Sequence, residues 1–106
     1  MKIRIVYMTA SGPEEAKKIG RELVAARLAA CVNILPQMSS VYIWEGQMEE
    51  ASEAVLIAKT TAERVPELIE RVRSLHSYSC PCIVSLAVEE GYPPFLEWIA
   101  AGVQPE

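Results

Sequence analysis

Val41-Tyr42-Ile43-Trp44-Glu45-Gly46-Gln47-Met48-Glu49-Glu50-Ala51-Ser52-Glu53-Ala54-Val55-Leu56-Ile57-Ala58-Lys59 is the stretch on which the fold turns. Val41–Glu45 is β-branched and aromatic, the composition that strands favour. Gly46–Glu50 reads as a hairpin loop, and Ser52–Lys59 as the returning strand. Ala54 to Ala58 is so dense in apolar side chains that the return strand is expected to be covered on both faces. The chain therefore carries a hairpin at its centre.

On the N-terminal side, Ile3, Ile5 and Tyr7 alternate with Lys2, Arg4 and Val6, which predicts a first strand. Ser11-Gly12-Pro13-Glu14 has the spacing of a capping box, and the apolar positions that follow predict a helix from Gly12 to Leu28. Cys31–Leu35 reads as a short strand stopped by Pro36, with a turn or bulge over Gln37–Ser40. On the C-terminal side, Thr60 and Glu63 again stand in capping-box spacing. Val65, Leu68, Ile69, Val72 and Leu75 form the stripe of a second helix. Ile83–Glu89 reads as a fourth strand, Gly91–Pro94 as a break, and Phe95–Ala101 as a short last helix ending at Gly102. Two crossover units thus flank the hairpin. The order β-α-β-β-α-β with an appended helix predicts one α+β domain over residues 1–106, a ferredoxin-like sandwich with helices on one sheet face.

Composition narrows the partners. The chain has 106 residues and a net charge of −4, with no Lys/Arg cluster, which argues against nucleic acid. Its longest clearly apolar run, Ala54–Ala58, is too short to span a membrane. Met1-Lys2-Ile3-Arg4 begins a strand-like alternation rather than the apolar core of a signal peptide. Three cysteines, an odd number, suit a reducing cytoplasmic setting better than a disulfide framework.

Soft ligand chemistry concentrates in Leu75-His76-Ser77-Tyr78-Ser79-Cys80-Pro81-Cys82, which holds the only histidine and two of the cysteines. Imidazole and thiolate are the side chains that hold soft and borderline metals. In an extended segment Cys80 and Cys82 share a face with Cβ atoms roughly 6.7 Å apart. That is too far for a disulfide and wide for a tetrahedral zinc site. Pro81 bends the chain and can narrow the gap. The competing reading is two small, half-buried thiols beside a turn.

An enzyme needs an organised set of groups, and none is legible. No Gly-x-Ser-x-Gly, His-Glu-x-x-His or glycine-rich phosphate loop occurs. Arg21 and Asn33 lack the spacing of an acylphosphatase-type pair. The expectation is a protein that binds rather than catalyses.

Val41-Tyr42-Ile43-Trp44 is apolar or aromatic on both faces and carries no lysine. Left exposed, such an edge pairs without control. No spare element of the chain is available to cover it. A second subunit burying Tyr42 and Trp44 is the remaining solution, in a closed rotational assembly.

Ala30-Cys31-Val32-Asn33-Ile34, Ser40, Tyr42, Trp44-Glu45-Gly46, Lys59-Thr60, Leu75-His76, Tyr78 and Trp98-Ile99 together resemble the CutA family of divalent-cation tolerance proteins, from about Tyr7 to Trp98. The resemblance implies a ferredoxin-like subunit, a homotrimer in the cytoplasm, and a link to copper and other divalent ions. It also implies a shape similar to the PII signalling proteins, so the alternative is a trimeric sensor or scaffold that takes a small anion or a protein partner between subunits. Cys31, Asn33, Lys59, Tyr78 and Trp98 are then the expected cleft residues, Tyr42 and Trp44 the interface. His76, Cys80, Cys82 and Met8 are the expected metal ligands. Where the family pattern reads His-Pro-Tyr-Glu-x-Pro-Glu-Ile, this chain has Ser77, Ser79 and Cys82 in place of proline and two glutamates. Thiols replace carboxylates, which shifts the expected ion toward the soft end.

Overall fold

A computed structural model describes residues 2–105; Met1, part of the N-terminal reading, lies outside them. The elements are β1 (Ile3–Ala10), α1 (Pro13–Ala25), β2 (Cys31–Trp44), β3 (Gln47–Thr61), a 3-10 turn (Ala62–Arg64), α2 (Val65–Leu75), β4 (Ile83–Ala87) and α3 (Pro93–Gly102). The strands form one antiparallel sheet in the order β2-β3-β1-β4. β3 is inserted between β1 and β2, and β1 between β3 and β4. This is the split crossover pattern of the ferredoxin-like fold.

Alternation along β1 and β3 sends Val6, Met8, Ala10, Ala54, Leu56 and Ala58 to one face. There they pack on Ala16, Ile19 and Leu23 of α1 and on Leu68 and Val72 of α2. Gly20 brings α1 close to β2: a Cβ at that position would stand 3.4 Å from the Ile34 side chain. Ile3 and Val55 are buried on the opposite face, and α3 lies against β1 and β3.

The structure corrects several boundaries. Pro36 does not stop β2. The strand runs through it, and the register slips between Leu35, opposite Val55, and Met38, opposite Glu53. Three steps on β2 match two on β3, so one extra residue is held in a bulge. β2 is the sheet edge, and a proline that cannot donate is tolerated in a bulge on an edge. The expected Gly46–Glu50 loop shrinks to a two-residue turn. Glu45 (φ 52°) and Gly46 (φ 79°) are both left-handed, the conformation whose twist matches a tight hairpin.

α1 ends at Ala25 rather than Leu28. Arg27 is left-handed (φ 58°), and the N–H groups of Leu28 and Ala29 both donate to the Leu23 carbonyl. That closure turns Leu28 into the core, where it is fully buried. Neither capping box forms. Gly12 caps α1, and Glu15, one residue beyond the expected Glu14, accepts from Ser11 N–H at 2.9 Å. Thr60 stays in β3 and donates to the Leu28 carbonyl at 2.7 Å. β4 stops at Ala87, short of Glu89. α3 begins at Pro93, because prolines are tolerated in a first turn, and carries Gly102 as its last residue.

Candidate functional site

The bulge decides which residues share a face. Before it, Cys31, Asn33 and Leu35 pair with Lys59, Ile57 and Val55, on the sheet face away from α1 and α2. After it, the even-numbered Met38, Ser40, Tyr42 and Trp44 occupy that same face. Without the extra residue, Tyr42 and Trp44 would point to the helix side.

The hairpin outruns its neighbours, since the β1–β3 ladder ends at the pair Ala10 and Ala54. Tyr42 and Trp44 therefore stand over a recess at the end of the open face. Its wall is completed by Thr9, Glu53, Tyr78, Ser79, Cys80 and Cys82. Its volume is about 370 Å³, within the range of small-ligand sites.

The loop after α2 that supplies Tyr78 to Cys82 is held by polar contacts at both ends of Glu15 and His76. Glu15 accepts from the N–H of Ser11 and, at 2.8 Å, from that of Ser77. Burial alone would raise its pKa, but the hydrogen bonds from Ser11 and Ser77 outweigh burial and bring it to about 2. The His76 side chain is fully buried. Its Nε2 lies 2.7 Å from the Thr9 carbonyl oxygen, and its Nδ1 accepts from Tyr78 N–H at 3.1 Å. A carbonyl can only accept, so Nε2 carries the proton and Nδ1 the lone pair. The imidazole is thus neutral, with both nitrogens engaged.

Tyr78 stacks at a tilt on His76, ring centroids 4.6 Å apart, and its hydroxyl donates to Glu53 Oε2 at 2.7 Å. Burial first, then the hydrogen bond and charge of Glu53, raise the Tyr78 phenol above its usual range, so it remains a donor. Burial first, then the Glu53 charge, raise the Cys82 thiol; a hydrogen bond with Thr9 opposes them. Glu53 makes the recess electronegative and is only 8% exposed.

The expected site residues do not all converge here. Tyr42, Trp44, Tyr78, Cys80 and Cys82 do. Met8 does not: it is fully buried in the helix-side core, on the wrong face of β1. His76 supports the loop from behind and has no ring nitrogen left for an ion. Lys59 donates to Asn33 Oδ1 farther along the open face, outside the recess, with half-buried Cys31 opposite Lys59. Trp98 stacks on Phe95 of α3, centroids 5.7 Å apart, away from the recess. Among the described residues, no group of three His, Cys, Asp or Glu side chains is placed to hold a metal ion. Sequence reasoning missed Glu53 and Glu15. Glu53 was visible as a carboxylate at the start of the densest apolar strand, and Glu15 as a second acidic residue in the first turn of α1.

The fold and recess define a ferredoxin-like α+β protein with a small aromatic, carboxylate-bearing site on its open sheet face. The chain belongs to the CutA1 divalent ion tolerance family, whose model matches residues 4–102. It is 43% identical over 97 residues to mouse Protein CutA, covering 92% of this chain and 55% of the mouse protein. It is 42% identical over 99 residues to the divalent-cation tolerance protein CutA of Archaeoglobus fulgidus, covering 93% and 96%. The chain thus spans about half the length of the mouse relative but nearly all of the archaeal one. The structure of the A. fulgidus protein, described as a periplasmic divalent cation tolerance protein, superposes with a TM-score of 0.93 at 40% identity, covering 96% of this chain and 99% of that one. CutA from Xylella fastidiosa superposes with a TM-score of 0.95 at 36% identity, covering 98% and 100%.

Proposed function

We propose that the chain acts in tolerance of metal ions as a cytoplasmic homotrimer, by binding rather than catalysis, and that Cys80 and Cys82 together hold copper(I). The observation that carries this reading is that both thiols open on one recess, Cys80 exposed and Cys82 half-buried. Near-linear coordination by two thiolates asks for no third ligand, which suits a site that His76 and Met8 cannot join. The raised Cys82 pKa makes binding release a proton, so affinity rises with pH. A reducing compartment keeps Cys31, Cys80 and Cys82 as the free thiols they are here.

Assembly is supported by the edge. Among the described residues β2 has no partner strand on its outer side, and Val41, Ile43 and Met48 are exposed on the other face of the projecting hairpin. Tyr42 and Trp44 are about half exposed. Another subunit adding to this edge covers both faces; the number three follows the family resemblance. The second reading is an anion-sensing site at Lys59, whose ammonium group donates to Asn33 and keeps further N–H groups for a ligand.

Metal-free, untagged protein titrated with copper(I), beside the Cys80→Ser/Cys82→Ser variant, tests the reading. A marked loss of affinity in the variant is expected. Equal affinity for both proteins would overturn the site.

A further inference from the structure

The two ring nitrogens of the fully buried His76 are spent in opposite ways. Nε2–H donates to the Thr9 carbonyl at 2.7 Å, while the Nδ1 lone pair accepts Tyr78 N–H at 3.1 Å. A second proton on the ring would occupy Nδ1, and an N–H cannot accept from another N–H. An acceptor for that proton already stands close. Glu15 Oε2 lies 3.9 Å from Nδ1 and takes Ser77 N–H at 2.8 Å. Burial alone would raise the Glu15 pKa, but the hydrogen bonds from Ser11 and Ser77 bring it to about 2, so it stays anionic in mild acid. A carboxylate oxygen has two lone pairs, enough for Ser77 and His76 together. The other groups around the ring do not compete. Thr9 of β1 presents a carbonyl, and the Val72 carbonyl of α2 is taken by His76 N–H. Tyr78 and Cys82, both raised first by burial, stay neutral in acid. Glu53 of β3 is linked to the ring only through the Tyr78 hydroxyl. Among the described residues no lysine or arginine pairs with Glu15.

We propose that His76 is an acid-operated latch on the loop that follows α2. In the neutral state two successive amides hold the loop, Ser77 through Glu15 and Tyr78 through His76. When His76 gains a proton at Nδ1, that N–H turns to Glu15 Oε2 and Tyr78 N–H is released. The Ser77 end stays tied to α1, while the Tyr78 end loses its backbone anchor. Tyr78 is also the residue whose hydroxyl joins the loop to Glu53 of β3, so the exchange loosens the loop at its link to the sheet. Imidazole titrates between about pH 5 and 8, a window in which the Glu15 carboxylate is always present to receive the new donor. The latch does not rest on copper, since neither thiol takes part in the exchange.

The test is nuclear magnetic resonance of metal-free wild-type protein in its native assembly, titrated from about pH 8 to 4. The His76 ring nitrogens and the Tyr78 backbone amide are followed together. One shared midpoint is expected, with Nδ1 changing from acceptor to donor as the Tyr78 amide proton moves upfield. Below the midpoint, protection of the Tyr78 amide against solvent exchange should fall about tenfold or more, while that of Ser77 is kept. The amide of Leu56, buried in β3, should keep its protection too, which separates the latch from unfolding. Glu15→Gln removes the anion that receives the Nδ1 proton, so its midpoint should fall by about one pH unit or more. If that variant does not fold, the paired wild-type signals decide alone. A Tyr78 amide that ignores a titrating His76 would overturn the proposal. So would a ring that stays neutral until Leu56 loses protection, or an unchanged midpoint in Glu15→Gln.

Discussion

Glu15 Oε2 accepts the backbone N–H of Ser77 at 2.8 Å, which ties the first turn of α1 to the loop after α2. The same carboxylate takes Ser11 N–H through Oε1. One acidic side chain therefore closes the N-terminus of a helix and fixes the loop that carries Tyr78, Cys80 and Cys82. Its folded pKa of about 2 lies well below the ordinary glutamate range.

That shift sets a pH dependence. A carboxyl depressed by folding contributes stability above its unfolded pKa and loses it as pH falls through the folded one. Glu15 should therefore contribute about 2 to 3 kcal/mol at neutral pH, declining between pH 4.5 and 2. Denaturant unfolding of wild type and Glu15→Gln across this range should show a gap at pH 6 that closes toward pH 2. Parallel curves would remove Glu15 from this role.

His76 is predicted to be structural. His76→Ala leaves the Thr9 carbonyl and the Tyr78 N–H without partners in a buried place, at a cost of about 1 to 3 kcal/mol each. Copper(I) affinity should survive the change at temperatures where the variant is folded. Nitrogen chemical shifts in wild type should report the Nε2–H tautomer. A loss of copper binding larger than that of the two-serine variant would return His76 to the metal site.

Gly46 sits at φ 79° in the tight hairpin turn. Gly46→Ala should cost about 1 to 2 kcal/mol, because Cβ disfavours the left-handed region, and Gly46→Asn should cost less. Thermal unfolding of the two variants ranks them. Equal melting temperatures for wild type and Gly46→Ala would show that the turn relaxes to another type.

Assembly should be measured by light scattering during size exclusion, over a wide concentration range. A mass three times the 11.7 kDa of the chain is expected throughout. Trp44→Lys should shift the mass downward on dilution, since it places a charge on the open edge. A folded wild-type monomer refutes the assembly, and an unchanged trimer in Trp44→Lys moves the interface elsewhere.

The helices were legible from the stripe Val65, Leu68, Val72 and from the apolar positions of α1, because helical periodicity is local. Pro36 misled for a physical reason: it forbids a ladder bond only where one is needed, and β2 at Leu35–Met38 is an edge with a bulge. The expected metal ligands divide for another reason. Met8 and His76 belong to the right residue types, but type does not reveal which face a strand presents or which backbone groups have taken a ring nitrogen.

By itself, the sequence determined the elements, their order and the central hairpin, since these follow from short-range pattern and from rules of connection. Only the tertiary structure decided which side chains meet. One extra residue between Leu35 and Met38 reverses the alternation of β2 and brings Tyr42 and Trp44 to the same face as Glu53. Glu15 and His76 then carry the loop of Tyr78, Cys80 and Cys82 to that face. Side chains alternate with a period of two, so a single bulge changes every later position on the strand.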